Sequence, residues 1–280
     1  MSDLDRLVSA VLGSRKYGRV SPDVIRRVGA RELLARSGLK EAIKATRNKL
    51  HQVGGAYLSP AMEYGRWEQR LGAAAQSGSP VEMRAVCAAV MQAHSSTRER
   101  LPILDDFFSQ TLAGLPAVHT VLDIACGLNP LARPWMPLPE DVRYFAYDMY
   151  ADMLEFVSRF FQIAGVHGEA QARDIVAAPP QQGADLALFL KALPCLEQID
   201  KAAGARILDA IDAPYLLVSF PVRSLGGRHK GMVDNFEAHF WELIAGKPWG
   251  VQRFEFPTEL AFLVRKDSPR RGVETPRSST

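Results

Sequence analysis

The sequence has few cysteines and no long apolar run, and both absences exclude whole classes of protein. Its three cysteines, Cys87, Cys126 and Cys195, form no CxxC pair, which argues against a disulfide framework and a cysteine zinc site. No apolar run approaches the roughly 18 residues that span a bilayer. The first six residues (MSDLDR) carry a net negative charge and lead into an amphipathic pattern, unlike a signal peptide. We expect a cytoplasmic protein with no membrane segment and no metal site.

Positive charge is concentrated in the first part of the chain. The net charge of the 280 residues is +3, but residues 1–100 carry 17 Lys and Arg against 9 Asp and Glu, whereas the remainder carries 17 against 22. A basic segment joined to a slightly acidic one suggests two modules, of which the first binds a polyanion. A solvated helical surface that happens to be basic explains the same charge equally well.

The first ninety or so residues show helical periodicity and no strand pattern. Ser21 followed by Pro22 is typical of a helix start, and Gly54-Gly55 ends a later helical pattern. The predicted helices cover residues 4–12, 22–28, 39–53, 62–75 and 80–93. The chain is thereby divided into a helical bundle (1–93), a second domain (94–266) and a disordered tail (267–280).

From about residue 118 the pattern changes to short apolar segments that alternate with helices. Such alternation is typical of a parallel α/β sheet. The predicted strands are residues 120–125, 142–147, 169–173, 186–190 and 215–220, then a hairpin of 251–256 and 260–264 that turns at Pro257-Thr258-Glu259. Five α/β strands followed by an antiparallel hairpin match the seven-stranded, Rossmann-like sheet of class I S-adenosylmethionine-dependent methyltransferases.

Acidic residues stand at the ends of the first three predicted strands. The first strand carries Asp123 and leads into a turn with a single glycine, Gly127, which permits close backbone approach but does not match the GxGxxG fingerprint of NAD and FAD sites. Asp148 follows the second strand, where a carboxylate accepts ribose hydroxyls. Asp174 follows the third, placed to receive an adenine amino group with Ile175 against the ring. One such aspartate is more often a turn or cap, but three in succession favour an adenosyl cofactor.

Six segments carry a more specific pattern. They are Lys49-Leu50-His51, Gly54-Gly55-Ala56-Tyr57, residues 94–101 (HSSTRERL), residues 122–130, Lys191-Ala192-Leu193-Pro194 and residues 219–232 (SFPVRSLGGRHKGM). In these residues and their spacing the chain resembles the aminoglycoside-resistance 16S rRNA (guanine(1405)-N7)-methyltransferases. The resemblance covers most of the chain. It implies S-adenosyl-L-methionine as cofactor, guanine N7 in 16S rRNA of the assembled 30S subunit as acceptor, and resistance to aminoglycosides that bind the decoding site.

The resemblance also implies which residues hold the cofactor. Residues 94–100 close over its methionine end, and Arg100 grips the carboxylate through a bidentate contact. A helix-capping box over residues 96–99 explains the same pattern without a ligand. Tyr57 is expected to act as a lid, and Leu190 to pack near the adenine or the methyl group. The expected cofactor-binding residues are Tyr57, His94, Ser95, Ser96, Arg100, Ala125, Gly127, Asp148, Asp174, Ile175 and Leu190.

Lys191 and two arginines of the 223–228 loop are the candidate catalytic residues. Lys191 follows the fourth strand, where class I enzymes place the residue that meets the acceptor, although a lone lysine there is usually a solvated strand end. Arg223 and Arg228 are placed to clamp the target guanine and its backbone, although such a loop is usually a flexible basic surface or a phosphate clamp. Whether Lys191 or Arg228 holds guanine O6 stays open.

The expected chemistry requires little of the protein. Guanine N7 carries a free lone pair, so it attacks a methyl group without losing a proton, and proximity and orientation supply most of the effect. The Asn/Asp-Pro-Pro-Tyr motif of exocyclic-amine methylation is absent, and so is a Pro-Cys nucleophile motif, because Cys195 lies past the strand end. Phe220, Phe236 or Trp241 can stack on a flipped base, although each is more often a core residue.

The basic N-terminal helices supply the RNA contacts in this interpretation. Folded RNA is recognised largely through its shape and backbone. The expected phosphate contacts are Arg15, Lys16, Arg19, Arg47, Lys49 and, from the later loop, Lys230, with Arg26, Arg27, Lys40 and Lys44 on the same helices. Two alternatives stay open: an enzyme of this fold that acts on another rRNA nucleotide or a small molecule, and a non-catalytic RNA-binding module. We expect a monomer without a protein partner.

Overall fold

A seven-stranded mixed sheet forms the centre of the protein in a computed structural model, which describes residues 1–59, 62–222 and 231–266. The strands are β1 (Thr120–Ile124), β2 (Arg143–Asp148), β3 (Gly168–Ala172), β4 (Leu186–Leu190), β5 (Tyr215–Pro221), β6 (Trp249–Phe256) and β7 (Glu259–Lys266). All seven predicted strands are present, and their bounds differ from the predicted ones by two residues or fewer. The predicted tail over 267–280 lies outside the described residues.

The strand order places a crevice at the middle of the sheet. The order is β3-β2-β1-β4-β5-β7-β6, in which β1 to β5 run parallel and β7 runs antiparallel to both of its neighbours. The chain order reverses between β1 and β4, and ligands of open α/β sheets bind at the carboxyl ends of strands at such a point. This architecture confirms the predicted class I methyltransferase fold.

Eleven α-helices occur among the described residues. They are α1 (Asp3–Leu12), α2 (Pro22–Ala35), α3 (Leu39–Leu50), α4 (Tyr64–Ser77), α5 (Pro80–Met91), α6 (Ser95–Arg100), α7 (Leu104–Thr111), α8 (Ala151–Ala164), α9 (Leu193–Glu197), α10 (Ala203–Ala210) and α11 (Met232–Leu243). Ser2 caps α1 through a reciprocal capping box with Asp5, and Pro22 starts α2 as expected. None of the described helices has the length and apolar character needed to cross a bilayer.

The predicted helix over residues 39–53 is too long by three residues. The α-helix ends at Leu50, and a single π-helical turn, His51–Gly55, follows. This wider turn brings Gly54 against the loop after β2, where a Cβ would lie 2.5 Å from Cε of Met149 and 2.9 Å from Cε2 of Tyr150. Only glycine permits that close approach. The turn therefore joins the N-terminal helices to the crevice.

Alternate residues of the buried strands supply two apolar cores, one on each face of the sheet. Val121 belongs to the first core and Leu122 to the second, as the period of a strand requires. The first core also contains Leu7 of α1, Ile25 of α2 and Phe156 of α8. It runs through the boundary predicted near residue 93 without a break. The N-terminal helices and the sheet thus share one packed interior.

Candidate cofactor cleft and active site

A cleft opens at the carboxyl ends of the central strands. Its empty volume is about 770 Å³, including the part open to solvent. The predicted residues on its wall are Tyr57, His94, Ser96, Ala125, Asp148, Asp174, Ile175, Leu190 and Lys191. Ser95, Arg100 and Gly127 are not on the wall. The structure therefore brings most of the sequence-predicted cofactor residues together around one space.

The backbone is strained at the two strand ends that border the crevice. Among the described residues, Ala125 and Lys191 are the non-glycine residues with positive φ, at 53° and 58°. They directly follow β1 and β4. The amide of Lys191 is held by the carbonyl oxygen of Ser219 at 2.9 Å. Such conformations cost about 1–3 kcal/mol and cluster at functional sites, so they support assignment of this crevice as the site.

Asp148 ties the end of β2 to the turn after β1. Its Oδ2 accepts a hydrogen bond from the amide of Gly127 at 2.9 Å, and its Oδ1 accepts one from the amide of Met149 at 2.6 Å. Burial raises the pKa of Asp148, and these backbone donors oppose that rise. The carboxylate is on the cleft wall, where we expected it to meet a ribose. It also fixes the shape of the turn that carries the single glycine.

Asp174 is bound by an arginine from the N-terminal helices. Its Oδ2 accepts a hydrogen bond from Nε of Arg27 at 2.6 Å, and its Oδ1 accepts from the amides of Val176 and Ala177 at 3.1 and 3.2 Å. Only 3% of the Asp174 side chain and 16% of the Arg27 side chain are exposed. The assignment of Arg27 to a phosphate-binding surface is therefore wrong, because the side chain turns inward to pair with a buried carboxylate.

His94 and Tyr57 form a second wall of the cleft. Their rings stack with centroids 6.1 Å apart, and the thiol of Cys195 donates a hydrogen bond to the Tyr57 hydroxyl at 3.0 Å. Burial, together with the positive charges of nearby arginines and a lysine, lowers the pKa of His94 to about 4. The ring is therefore neutral at physiological pH. Its Nδ1 is buried, and no described residue forms a hydrogen bond with it.

Arg100 and Lys191 share a buried counter-ion, Glu259 at the start of β7. Nη2 and Nε of Arg100 contact the two carboxylate oxygens at 2.7 and 2.9 Å, and Nζ of Lys191 lies 3.3 Å from Oε2. Burial raises the pKa of Glu259, but the two cations and the hydroxyl of Ser219 outweigh this and lower it. Arg100 is fully buried, and its bidentate contact is made to Glu259.

The helix-capping alternative for residues 96–99 is wrong. The N-cap of α6 is His94, and no side chain makes a capping bond there. The Thr97 hydroxyl instead donates to the carbonyl oxygens of Met91 and His94. Glu99 pairs with Nζ of Lys191 at 3.1 Å. The acidic residue of the motif therefore pairs with Lys191 and does not cap the helix start.

The expected phosphate contacts divide into exposed and internally bonded residues. Arg15 and Arg19 are exposed. Nζ of Lys16 lies 3.2 Å from Nδ1 of His51, whereas Arg47 donates to the carbonyl oxygen of Ala10 and Lys49 to that of Gln198. Arg223, Arg228 and Lys230 lie outside the described residues. The side chains of Arg15 and Arg19 are thus exposed where a polyanion can reach them.

Of the three aromatic residues considered for base stacking, Phe220 belongs to the core. It is fully buried and stacks on Phe236 with centroids 5.2 Å apart. Trp241 is 45% exposed and contacts Phe240 and Phe262 at its ring edge. The core interpretation therefore holds for Phe220.

Three residues of the site were not singled out for these contacts from the sequence: Arg27, Glu99 and Glu259. Arg27 pairs with a residue 147 positions away, and Arg100 with one 159 positions away. Neither pairing leaves a periodic or spacing pattern along the chain. The one available indication is that Glu259 begins an apolar strand, where a charged residue needs a partner.

Comparison with known proteins agrees with this geometry. A family model described as "Ribosomal RNA methyltransferase (FmrO)" matches residues 13–263. Two proteins named 16S rRNA (guanine(1405)-N(7))-methyltransferase are similar to the chain: one from Frankia casuarinae is 40% identical and covers 94% of both chains, and one from Micromonospora rosea is 36% identical and covers 94% of this chain and 97% of its own. A crystal structure of 16S rRNA methyltransferase RmtF in complex with S-adenosyl-L-homocysteine is 30% identical, with a TM-score of 0.78 over 95% of this chain and 99% of its own. The chain belongs to the FmrO family of ribosomal RNA methyltransferases.

Proposed function

We propose that the protein transfers the methyl group of S-adenosyl-L-methionine to N7 of guanine 1405 in 16S rRNA of the 30S subunit, and so confers aminoglycoside resistance. The observation that carries this proposal is the cleft at the β1/β4 crevice, with Asp148 and Asp174 on its wall. The names of the relatives at 36–40% identity supply the acceptor atom. The RmtF complex supplies the class of cofactor.

The residues of the cleft fit an adenosyl cofactor. Asp148 lies at the end of β2, where a carboxylate accepts ribose hydroxyls. Asp174 lies farther along the same wall with Ile175, which suits the amino group and face of adenine. Arg27 and His94 each have a buried nitrogen atom with no partner in the part of the chain that the structure describes, and buried polar atoms are normally hydrogen-bonded. The unpaired atoms therefore support a polar ligand in this space.

The chain supplies positioning and not proton transfer. When bound, the cofactor supplies an electrophilic sulfonium methyl group. Guanine N7 attacks through its lone pair, so the protein removes no proton. His94, with a pKa of about 4, is a weak base, and the ammonium of Lys191 is held by Glu99 and Glu259. In this mechanism Lys191 holds the guanine O6 edge, and the buried wall around it excludes water.

Docking on the ribosomal subunit is assigned to the N-terminal helices. Arg15 and Arg19 are exposed on the segment between α1 and α2, and cations bind the RNA backbone irrespective of its sequence. The protein is proposed to act as a monomer in the cytoplasm. Arg223, Arg228 and Lys230 are the further candidates for contacts with the guanine and its phosphates.

The decisive experiment maps the methylated atom. Purified 30S subunits are incubated with the protein and tritiated S-adenosyl-L-methionine, and the labelled base is located by reduction, cleavage and primer extension. We expect a single cleavage at guanine 1405, none with Asp148→Ala, and a raised inhibitory concentration of a decoding-site aminoglycoside in a susceptible strain. The exposed substitution Glu255→Gln serves as the matched control.

Each other outcome identifies the part that is wrong. Label at a different nucleotide supports the alternative of another rRNA target. Label on free 16S rRNA but not on 30S subunits overturns the assembled-subunit substrate. A protein that binds 30S subunits and transfers no methyl group is the non-catalytic RNA-binding module.

A further inference from the structure

Arg27 carries an unexplained buried atom in the cofactor cleft. The residue lies on α2 among the N-terminal helices, yet its side chain reaches the cleft wall beside Asp174. Nε is bonded to the aspartate, but Nη1 is buried and has no hydrogen-bond partner within residues 1–59, 62–222 and 231–266. An unpaired buried donor is costly, and more so when it is charged. The atom therefore requires a partner that none of the described residues provides.

Asp174 beside it has acceptor capacity left over. A carboxylate offers about four lone-pair sites. Two of them, on Oδ1, are used by the amides of Val176 and Ala177, and one, on Oδ2, is used by Arg27. One site on Oδ2 stays available. The Arg27–Asp174 pair thus keeps one acceptor site, on Oδ2, and one donor atom, Nη1, that none of the described residues uses.

A donor and an acceptor on one ion pair are the two groups that the edge of adenine requires. The exocyclic amino group of adenine is a donor, and the ring nitrogens N1 and N7 on either side of it are acceptors. Asn and Gln recognise adenine with one donor and one acceptor in the same way. Guanine and hypoxanthine present an oxygen in place of the amino group and do not fit this pair.

We propose that Arg27 is a cofactor-binding residue, whose Nη1 donates to an adenine ring nitrogen next to the amino group that Asp174 accepts. This inference rests on the proposed cofactor. The side chain has the planar, two-donor geometry that lets one guanidinium hold the aspartate and the ring together. A lysine at this position keeps the charge and a contact with Asp174, but it lacks the second fixed donor.

The test is a binding experiment with altered ligands. Calorimetry measures the dissociation constants of S-adenosyl-L-homocysteine and of its analogues with a 1-deaza or 7-deaza adenine ring, for the wild type, Arg27→Lys and Arg27→Met. We expect the wild type to bind one of the two analogues at least about tenfold more weakly than the parent ligand. We expect Arg27→Lys to bind the parent ligand about tenfold more weakly, with no further loss for that analogue.

Arg36→Met is the matched control. Arg36 comes directly after α2 and, like Arg27, pairs with a carboxylate, but its partner Glu32 lies away from the cleft. Thermal melting of each variant checks that it is folded. Wild-type affinity in Arg27→Lys and Arg27→Met overturns the inference. The inference is also overturned if an Arg27 variant binds the parent ligand more weakly and still loses the same further factor for the deaza analogue as the wild type does. Arg27 would then only hold Asp174. A wild type that binds no S-adenosyl-L-homocysteine overturns the proposed cofactor itself, and the inference with it.

Discussion

Asp123 is a buried carboxylate with one satisfied and one unsatisfied oxygen. Its Oδ2 accepts hydrogen bonds from Asn129 and Tyr144, while its Oδ1 has no partner among the described residues. Burial raises its pKa to about 6, against the lowering effects of those two hydrogen bonds and the charge of Arg100. From the sequence, Asp123 was one of three acidic residues at strand ends, but it is not on the cleft wall. Its ionisation is therefore expected to change the free energy of unfolding.

For Asp123→Asn we expect a pH-dependent change in relative stability. Because the folded pKa is above the ordinary value of 3.8, the favourable contribution is present below about pH 4 and is lost as pH rises through 6. The free energy of unfolding of the wild type, relative to the variant, should fall by about 2 kcal/mol between pH 4 and pH 7.5. Urea titrations across this range measure it, with exposed Asp141→Asn as control. A difference that is constant with pH contradicts the prediction.

Glu259→Gln should be among the most damaging single substitutions in the described chain. It leaves Arg100 and Lys191 buried without their shared anion, and breaking a buried ion pair costs about 3–5 kcal/mol. Urea unfolding at pH 7.5 measures the loss. Glu255→Gln removes an exposed partner of Arg253 and should cost less than about 1 kcal/mol. Similar losses for the two variants would show that the buried cluster contributes no more than a surface pair.

Residue-scale analysis of the sequence placed single residues at the cleft but did not identify the ion pairs. Asp148 and Asp174 were placed at the cleft because the carboxyl ends of parallel strands lie at the edge of the sheet where the crevice opens. This holds independently of the other contacts of the chain. The partners of Arg27 and Arg100 depend on contacts 147 and 159 residues apart, which no local pattern encodes. For that reason the sequence assigned Arg27 to a phosphate and Arg100 to a cofactor carboxylate.

At the scale of the elements, the turn after β1 depends on Gly127 for two separate reasons. Its φ is +52°, and a Cβ there would lie 2.9 Å from both Cε1 and Nε2 of His94. We expect Gly127→Ala to weaken S-adenosyl-L-homocysteine binding by at least about tenfold, because His94 must move from the cleft wall; calorimetry measures this. Gly114→Ala shares the positive φ, at +76°, but meets no atom within 4 Å.

The Gly114→Ala control separates backbone strain from steric contact. Both variants should lose about 1–2 kcal/mol of stability from the left-handed conformation. Only Gly127→Ala should lose ligand affinity. If Gly114→Ala weakened binding equally, backbone strain alone would explain the effect.

The elements themselves were predictable where the sequence carries one clear apolar pattern, either a repeat or a short continuous run. The buried segment of β4 was placed without error, because its five residues are all apolar and buried. The π-helical turn at His51–Gly55 was not predicted. Its cause is the contact of Gly54 with Met149 and Tyr150, which lie far along the chain and leave no trace in the helical periodicity.

At the scale of the whole molecule, the charge of the first hundred residues predicts salt-dependent binding to the 30S subunit. Arg15→Gln and Arg19→Gln should each lower the slope of log affinity against log salt by about 1, as measured by filter binding between about 50 and 200 mM salt. Arg159→Gln, on α8 and 63% exposed, is the control for an arginine outside the N-terminal helices. An unchanged slope in the double variant would contradict an RNA-binding role for this segment.

One short bridge has a consequence for how the two ligands affect each other. Val20 pairs with Tyr150, and the flanking bonds join the amide of Ser21 to the carbonyl of Met149 and the amide of Ala151 to the carbonyl of Arg19. The segment that carries the exposed arginines is thus joined directly to the loop after Asp148. Whatever factor a bound ribosomal subunit applies to cofactor affinity, the cofactor must apply the same factor to subunit affinity. For the proposed function, any coupling that this bridge carries between the cleft and the ribosomal subunit therefore acts equally in both directions.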